Sequence, residues 1–374
     1  MNNKISKKEA FEQFISVFEY SSSMLDRVKC LELFEIMDYK NNAIFFKKIY
    51  KIYEYSLISD DNWIVRITAA KNLIQNFNKE SLLPLKWAIQ HDKSPFVLKT
   101  LIKLLNDVKH QEFNDLLEDM YLRLENIYGV VSEEAFFLFE LELIHAENEK
   151  EHDTKIGFIN RNKMGSIDET LFGDGIRIMI NNNHVVALNL SGWMKEEIPS
   201  TISSLSRLKH LNLKKTGFEE IPSFIYSFPL LETLYLDKNK LTSIPNLSNY
   251  LKYLKKLSLK GNPIDKIPDW LIVFSEKMLS YKYIEEGVKE EEAPILGLLE
   301  ILIGEKLKKA DKKKEWVVYC KAWLYRLCYC CGARYYTINE KGHVLGIYLS
   351  VRENFYQKSF PEHINSLKFL KEYC

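Results

Sequence analysis

The chain has 374 residues, 46% of them hydrophobic and 28% charged, which predicts two or three folded domains and excludes a disordered chain. Its 52 basic and 51 acidic residues nearly cancel, and its 14 glycines form no phosphate-binding motif, so nothing predicts nucleic acid, an anionic membrane or a nucleotide cofactor. No apolar run is long enough for a membrane span, no signal sequence is visible, and six cysteines do not look like a disulfide framework, so we expect a cytoplasmic protein.

The first predicted region, residues 1–147, has apolar side chains at helical spacing and little strand signal. It contains two similar segments that begin 31 residues apart, at Asp61 and at Asp92, and the first of them carries Val65 and Arg66. This pattern resembles the HEAT repeat family, whose members stack helical hairpins side by side. The resemblance implies an α-helical, HEAT-like domain, and a plain helical bundle is the alternative that these residues leave open.

A linker and a hairpin are predicted next. Residues 148–175 carry four glycines among charged side chains, which is typical of a linker. Residues 176–180 and 184–190 read as strands on either side of three asparagines, so we predict a β-hairpin. The hairpin is expected to cover the exposed edge of the repeats that follow it.

The most informative pattern is a repeat of 23 residues within 176–274. It aligns one column of leucines at 188, 211, 234 and 257, a second at 190, 213, 236 and 259, and the Ile-Pro pairs that begin at 198, 221, 244 and 267. The L-x-L alternation predicts a short strand with both leucines on one face. One copy buries too little apolar surface to offset its ordering entropy, so the four copies are expected to stack into a parallel sheet.

These columns resemble the leucine-rich repeat family, in particular its intracellular 23-residue type with an Ile-Pro step. The resemblance implies an α/β solenoid with short parallel strands and a curved surface that binds proteins. Asn239 and Asn262 follow two of the strands, where a side-chain amide can bond the turning backbone. Trp193 stands where the first copy should have an asparagine, which suits an end repeat.

The side chains that alternate with the leucines form the predicted binding site. They project from the concave face of the sheet, because the inward leucines free them from packing. The nine candidate protein-binding residues are His210, Asn212, Lys214, Thr233, Tyr235, Asp237, Lys256, Ser258 and Lys260. Tyr235 lies at the centre and is the expected aromatic anchor among basic neighbours. A solvated sheet face without a ligand is the alternative.

Residues 275–332 interrupt the repeats and are predicted to be a helical insert, with one helix that begins at Pro294. Its close cysteines lack the paired Cys-x2-Cys spacing of structural zinc sites. They are Cys320, Cys328, Cys330 and Cys331. We interpret them as a buried helix stripe, with a metal site and a reactive thiol as the alternatives. The lysines from 306 to 314 are interpreted as a solvated helix face rather than as a grip for phosphates or an acidic partner.

The repeat pattern begins again near the C-terminus, where residues 343–350 parallel residues 184–191. We predict that residues 333–374 are the start of a second leucine-rich repeat array. The sequence ends at Cys374, and the next strand of this array is expected to begin there. An uncapped strand edge is a template for pairing with another chain, so self-association through this end is expected.

Together these patterns predict a non-enzymatic scaffold or adaptor that binds protein partners in intracellular signalling. No catalytic residues, no metal site and no cofactor are predicted. The alternative function is a regulator or an enzyme, ubiquitin-ligase-like or GTPase-linked, with its chemistry in the cysteine-rich insert. A nucleotide motif or a Cys–His pairing would favour that alternative, and the sequence shows neither.

Overall fold

The computed structural model describes most of the chain up to Lys309 and parts of the remainder. The described residues are 7–36, 42–108, 110–149, 157, 159, 164–173, 175–193, 198–304, 306–309, 334–338, 341, 344–349 and 372–373. The chain divides into two units, Met1–Arg161 and Asn162–Cys374. Every helix within the described ranges is too short or too polar to cross a membrane.

The first unit is built from helices in its described part. They are α1 (Lys7–Tyr20), α2 (Met24–Ile36), α3 (Ala43–Ser59), α4 (Trp63–Asn76), α5 (Leu82–His91), α6 (Pro95–Asp107), α7 (Gln111–Tyr128) and α8 (Ser132–Glu149). They pack in two rows, with α2, α4, α6 and α8 in succession in one row and α3, α5 and α7 in the other. The predicted helical N-terminal region is therefore confirmed, and its helices pack in a repeat-like order.

Local signals set the ends of these helices. The side chains of Asn42 and Asn62 accept hydrogen bonds from the first backbone N–H groups of α3 and α4. Pro95 begins α6, at a position where a missing N–H costs no helical hydrogen bond. Gly129 ends α7 in the left-handed conformation, with a φ of 71° that favours glycine.

Charged side chains join the turns of successive helix pairs. Arg66 binds Asp92 through two hydrogen bonds, Nε to Oδ2 at 2.7 Å and Nη2 to Oδ1 at 3.2 Å. Arg66 Nη1 also donates to the backbone oxygen of Asp60 at 2.9 Å, and Arg27 Nη2 donates to Asp60 Oδ1 at 3.0 Å. Arg123 Nη2 reaches the backbone oxygen of Asp92 at 2.5 Å. These bonds tie the turn between α3 and α4 to the turn between α5 and α6.

The described part of the second unit begins with α9 (Ile167–Phe172) and a five-stranded sheet in the order β1-β2-β3-β4-β5. Its strands are β1 (Arg177–Asn181), β2 (His184–Asn189), β3 (His210–Asn212), β4 (Thr233–Tyr235) and β5 (Lys256–Ser258). The first two strands form the predicted antiparallel hairpin, and β2 to β5 pair in parallel. Four leucines lie opposite one another on adjacent strands and are at most 4% exposed: Leu188, Leu211, Leu234 and Leu257. Residues that are 23 positions apart in the sequence are thus neighbours on adjacent strands.

The turns after the strands share one unusual backbone conformation. The column with positive φ, between 55° and 78°, consists of Gly192, Lys215, Lys238 and Gly261. The left-handed region favours glycine, because any other residue brings its Cβ close to the following carbonyl oxygen. Two positions in this column therefore carry lysine at a cost in backbone strain.

Gly261→Ala is expected to lower the free energy of unfolding by about 1–2 kcal/mol, because alanine is strained at a φ of 71°. The added Cβ would lie 3.4 Å from Cγ of Lys238, an ordinary contact, so backbone strain is the main cause. Gly165→Ala is the control, since its φ is not positive and no atom lies within 4 Å of its added Cβ. Equal losses in urea denaturation of the two variants would contradict this prediction.

The remaining elements follow the five-stranded sheet. They are α10 (Asp269–Met278), α11 (Ser280–Glu285), α12 (Ala293–Ile303), β6 (Lys308–Lys309), β7 (Arg334–Ile338), β8 (Val344–Leu349) and β9 (Glu372–Tyr373). Helix α10 begins inside the segment predicted as repeats, directly after Pro268, which cannot continue a strand ladder. Strand β6 lies inside the segment predicted as a helical insert.

The second sheet has the strand order β6-β7-β8-β9. Strands β7 and β8 pair antiparallel, and β9 pairs in parallel with β8 through Gly346 opposite Glu372 and Ile347 opposite Tyr373. The sequence predicts that a further strand starts at about this position, and the two-residue strand β9 lies there. The assignment of residues 333–374 to a second repeat array stays a prediction.

A cluster of tyrosines joins the second sheet to α11 and α12. The rings of Tyr283 and Tyr336 lie 5.7 Å apart at their centroids, and both side chains are fully buried. Tyr283 donates a hydrogen bond to Glu300 at 3.0 Å, and Tyr336 donates one to Glu286. Burial raises the pKa of both tyrosines well above the ordinary value, so both stay protonated and act as donors.

Candidate functional site

All nine predicted site residues lie on one face of the five-stranded sheet, here called the strand face. Three lateral rows make up this face: Ala187, His210, Thr233 and Lys256; Asn189, Asn212, Tyr235 and Ser258; and Ser191, Lys214, Asp237 and Lys260. Pairing of adjacent strands brings the members of the first two rows together as Cα partners. The third row follows the strand ends, where backbone bonds such as Lys238 N to Lys260 O continue the pattern.

The strand face is more buried than the sequence predicts. Five of the nine predicted residues are only 2–9% exposed: Asn212, Thr233, Tyr235, Asp237 and Ser258. His210, Lys214 and Lys260 are half-buried, and Lys256 is exposed. The expectation that these side chains are free from packing therefore needs correction, and two helices provide the reason.

Helix α9 covers the strand face over β2 and β3. Asn212 Nδ2 donates to the backbone oxygen of Leu171 at 2.6 Å, and Asn189 Nδ2 donates to that of Gly173 at 2.8 Å. The last carbonyl groups of a helix have no partner within the helix, so these two amides supply the missing hydrogen bonds. The ring of Phe172 then meets that of Tyr235 edge to face, with centroids 5.5 Å apart. A segment predicted to be a linker is thus part of the site.

The C-terminal end of α12 closes the lateral edge of the repeats. In each earlier repeat, the residue after the strand donates its N–H to the next strand, as Leu236 does to Ser258 at 2.9 Å. Leu259 donates instead to the backbone oxygen of Ile301 in α12 at 3.0 Å. Gly304 follows at the end of α12, where a Cβ would lie 3.1 Å from Oγ of Ser258. A helix end therefore protects the edge of β5 from pairing with another chain.

We call the part of the strand face around the buried ring of Tyr235 the open face. It consists of Lys214, Tyr235, Lys256 and Lys260 on the sheet and Phe172 on α9. Nζ of Lys256 lies 5.2 Å from the ring centroid of Tyr235, within the range of a cation–π interaction. The tyrosine ring therefore lies close to both an aromatic ring and an ammonium group.

One carboxylate, Asp237, lies on the strand face among the described rows. It accepts hydrogen bonds from the backbone N–H of Lys260 at 3.0 Å and from the hydroxyl of Ser258. Burial raises the pKa of Asp237, while these hydrogen bonds and the charges of Lys214 and Lys260 act in the opposite direction. Its role is to fix the neighbouring backbone, and Lys214 and Lys260 lie close enough for their charges to act on it.

A second group of charges lies in one column at 23-residue steps. Glu232 sits between Lys209 and Lys255, with Nζ–Oε distances of 3.2 Å and 2.6 Å. The hydrogen bond from Lys255 is the main reason why the pKa of Glu232 is lowered. Glu232 therefore offsets one of the two lysine charges and joins three adjacent repeats.

His210 makes the stability of the repeats depend on pH. Its Nδ1 lies 3.1 Å from Oγ1 of Thr233, and burial, with Lys209 and Lys255 nearby, lowers its pKa from the ordinary 6.5 despite the charge of Glu232. A lowered pKa in the folded state means that the unfolded chain takes up the proton first as the pH falls. The free energy of unfolding should therefore fall between pH 7.5 and 5.5, and it should fall less in His210→Gln. An unchanged pH dependence in this variant would contradict the assignment.

No metal centre is found in the described ranges, where no group of three or more His, Cys, Asp or Glu side chains is placed to hold a metal ion. The predicted cysteine cluster lies outside the described residues, as do the lysines at 312–314. The packing, metal and thiol interpretations of that cluster therefore stay predictions.

The sequence-based interpretation missed Phe172 and the helix that carries it. A signal was available, because Ser166 and Glu169 have the spacing of a capping box at the start of a helix. The structure shows this motif, with the Glu169 N–H donating to Ser166 Oγ at 3.2 Å. Nothing in the sequence indicated that Asn189 and Asn212 bind the other end of α9.

Comparison with known proteins supports the resemblance over part of this region. Residues 229–271, which include β4 and β5, match a family model described as Leucine Rich repeats (2 copies). Neither the search of curated proteins nor the search of solved structures gives a match. Over residues 229–271 the chain is therefore similar to leucine-rich repeats.

Proposed function

We propose that this chain is a non-enzymatic scaffold that binds a protein partner on the open face. Leucine-rich repeats present extended surfaces for protein binding, which is the general basis for the proposal. The observation that carries it is the exposed aromatic ring of Phe172, which packs against Tyr235 on the sheet, while Nζ of Lys256 lies 5.2 Å from the same tyrosine ring. Phenylalanine is among the residues enriched in protein interfaces, and polar residues commonly form the rim around them.

The proposal changes the expected anchor of the site. Tyr235 is only 7% exposed, whereas Phe172 is 63% exposed and packs against it. Of the nine predicted residues, we propose Lys214, Lys256 and Lys260 as the partner contacts, with His210 at the margin. Asn212, Thr233, Asp237 and Ser258 support the face from within.

We also propose the domain organisation that the sequence predicts, with four repeats and a HEAT-like N-terminal domain. Support for four repeats comes from the register of β2 to β5, which extends the same 23-residue step beyond the matched segment. Support for a HEAT-like N-terminal domain comes from its two rows of helices and from the Arg66–Asp92 pair. A cytoplasmic role in signalling belongs to the same proposal.

Lys256→Glu tests the proposed function. The whole chain is used to capture partners from a lysate, and the captured proteins are quantified by mass spectrometry for the intact chain and the variant. Lys252→Glu is the control, since it makes the same charge change four residues away at an exposed position outside the strand face. We expect Lys256→Glu to lose partners that Lys252→Glu retains. Identical captured sets for all three proteins would contradict the proposal.

A further inference from the structure

We propose that the open face selects an acidic, extended segment of a protein partner, with one apolar side chain that packs against Phe172. This inference rests on the proposed function, because it assigns the chemistry of the partner at the same face. Three features of the face carry it: a fixed aromatic ring, an excess of lysines, and the distance over which these lysines are spread.

The aromatic ring is exposed and yet held in place. Phe172 is 63% exposed, and its ring meets Tyr235 at 5.5 Å with an interplanar angle of 69°. The end of α9 next to it is fixed by the amides of Asn189 and Asn212. Binding a partner therefore costs little side-chain entropy at Phe172, because this ring is already held in place before binding.

The charge around the ring is positive. Lys214, Lys256 and Lys260 belong to the open face, and the carboxylate of Asp237 is buried below them. The acidic residues of α9 are in its first turn, at the other end of the helix from Phe172. Charge complementarity therefore favours a partner that brings carboxylates to this face.

The spread of the lysines indicates an extended segment rather than a single anion. Lys214 and Lys260 stand in the same row two strands apart, which corresponds to roughly 10 Å at the usual strand spacing. Lys256 begins β5 and Lys260 follows its end, four residues later, which corresponds to roughly 13 Å for an extended chain. An extended peptide of about four residues matches the span of these three backbone positions.

The surrounding charges favour a protein over a nucleic acid. Lys209 and Lys255 share the carboxylate of Glu232, so this column adds one net positive charge rather than two beside the open face. Binding along a nucleic acid backbone requires many phosphate contacts, and the whole chain has a net charge of only +1. We therefore assign the lysines to the carboxylates of a peptide.

A displayed library of random 12-residue peptides, selected on the whole chain, tests this inference. We expect the selected peptides to be rich in Asp and Glu and to contain an aromatic or aliphatic residue. Fluorescence anisotropy with one selected peptide should show a loss of about tenfold or more in affinity for Lys256→Glu and for Phe172→Ala. Lys252→Glu should bind as the intact chain does, and Phe172→Leu should retain most of the affinity.

Three results would overturn the inference. Selected peptides that are neutral or basic but still lose affinity in Lys256→Glu would refute the acidic partner and leave the proposed function standing. Binding of acidic peptides that neither Lys256→Glu nor Phe172→Ala weakens would place them elsewhere on the chain. Equal competition by a single-stranded 20-residue thymidine oligonucleotide would assign the lysines to phosphates. Circular dichroism of each variant checks that it has folded.

Discussion

Asn239→Ala is expected to lower the free energy of unfolding by about 3–5 kcal/mol, because it removes several buried hydrogen bonds at once. The side chain is 5% exposed, and its Nδ2 donates to the backbone oxygens of Leu213 at 2.8 Å and Leu236 at 2.9 Å. Its Oδ1 accepts from the backbone N–H groups of Thr216 and Gly217, both at 2.9 Å. Alanine leaves these backbone groups without partners in a place that water reaches poorly.

Asn246→Ala is the matched control for this prediction. Asn246 is exposed, and its side chain accepts only local hydrogen bonds, such as that from the N–H of Ser248 at 3.0 Å. We expect it to change the free energy of unfolding by about 0.5 kcal/mol or less. Urea denaturation of both variants measures the difference. Equal effects would show that Asn239 does not hold two neighbouring repeats together.

Glu142→Ala is expected to destabilise the first unit by about 3–5 kcal/mol, since three donors lose a buried charged acceptor. The carboxylate is fully buried in α8 and accepts from the hydroxyl of Tyr128 at 2.7 Å. It also accepts from the backbone N–H groups of Gly157 at 2.8 Å and Ile159 at 2.7 Å. Burial is the main reason why the pKa of Tyr128 is raised, so that its hydroxyl stays a donor.

The control for Glu142 is Glu147→Ala on the same helix. Glu147 forms an exposed ion pair with Lys99 at 2.9 Å, and such pairs contribute about 0–1 kcal/mol. Thermal unfolding followed by circular dichroism should show a clear drop in midpoint for Glu142→Ala and little change for Glu147→Ala. A small effect of both would contradict the role given to the buried carboxylate.

The register of the repeats was predictable because one periodic signal determines it. Each leucine at 188, 211, 234 and 257 has the same place in its strand, so the spacing alone sets which residues become lateral partners. Asn239 and Asn262 were predictable for the same reason, and both bond the backbone where the chain turns. In the helical region, the segment with Arg66 likewise indicated a position that now pairs with Asp92.

The covering of the strand face was not predictable from periodicity. Helix α9 has only six residues, too few to show a helical pattern of apolar side chains, and glycines follow it. What holds it to the sheet is a set of amide–carbonyl bonds from Asn189 and Asn212, whose side chains looked exposed in the L-x-L pattern. Contacts between segments far apart in sequence leave no local signal, and Glu142 with Gly157 is another case.

Photo-cross-linking from the open face tests the central claim most directly. A benzophenone amino acid is placed at position 256 or at position 252 of the whole chain, and cross-linked products are identified by mass spectrometry after irradiation in a lysate. The account predicts that position 256 cross-links a protein partner, that position 252 does not, and that an acidic peptide of the partner carries the link. Cross-links of equal yield from both positions, or from position 252 alone, would contradict binding at the strand face.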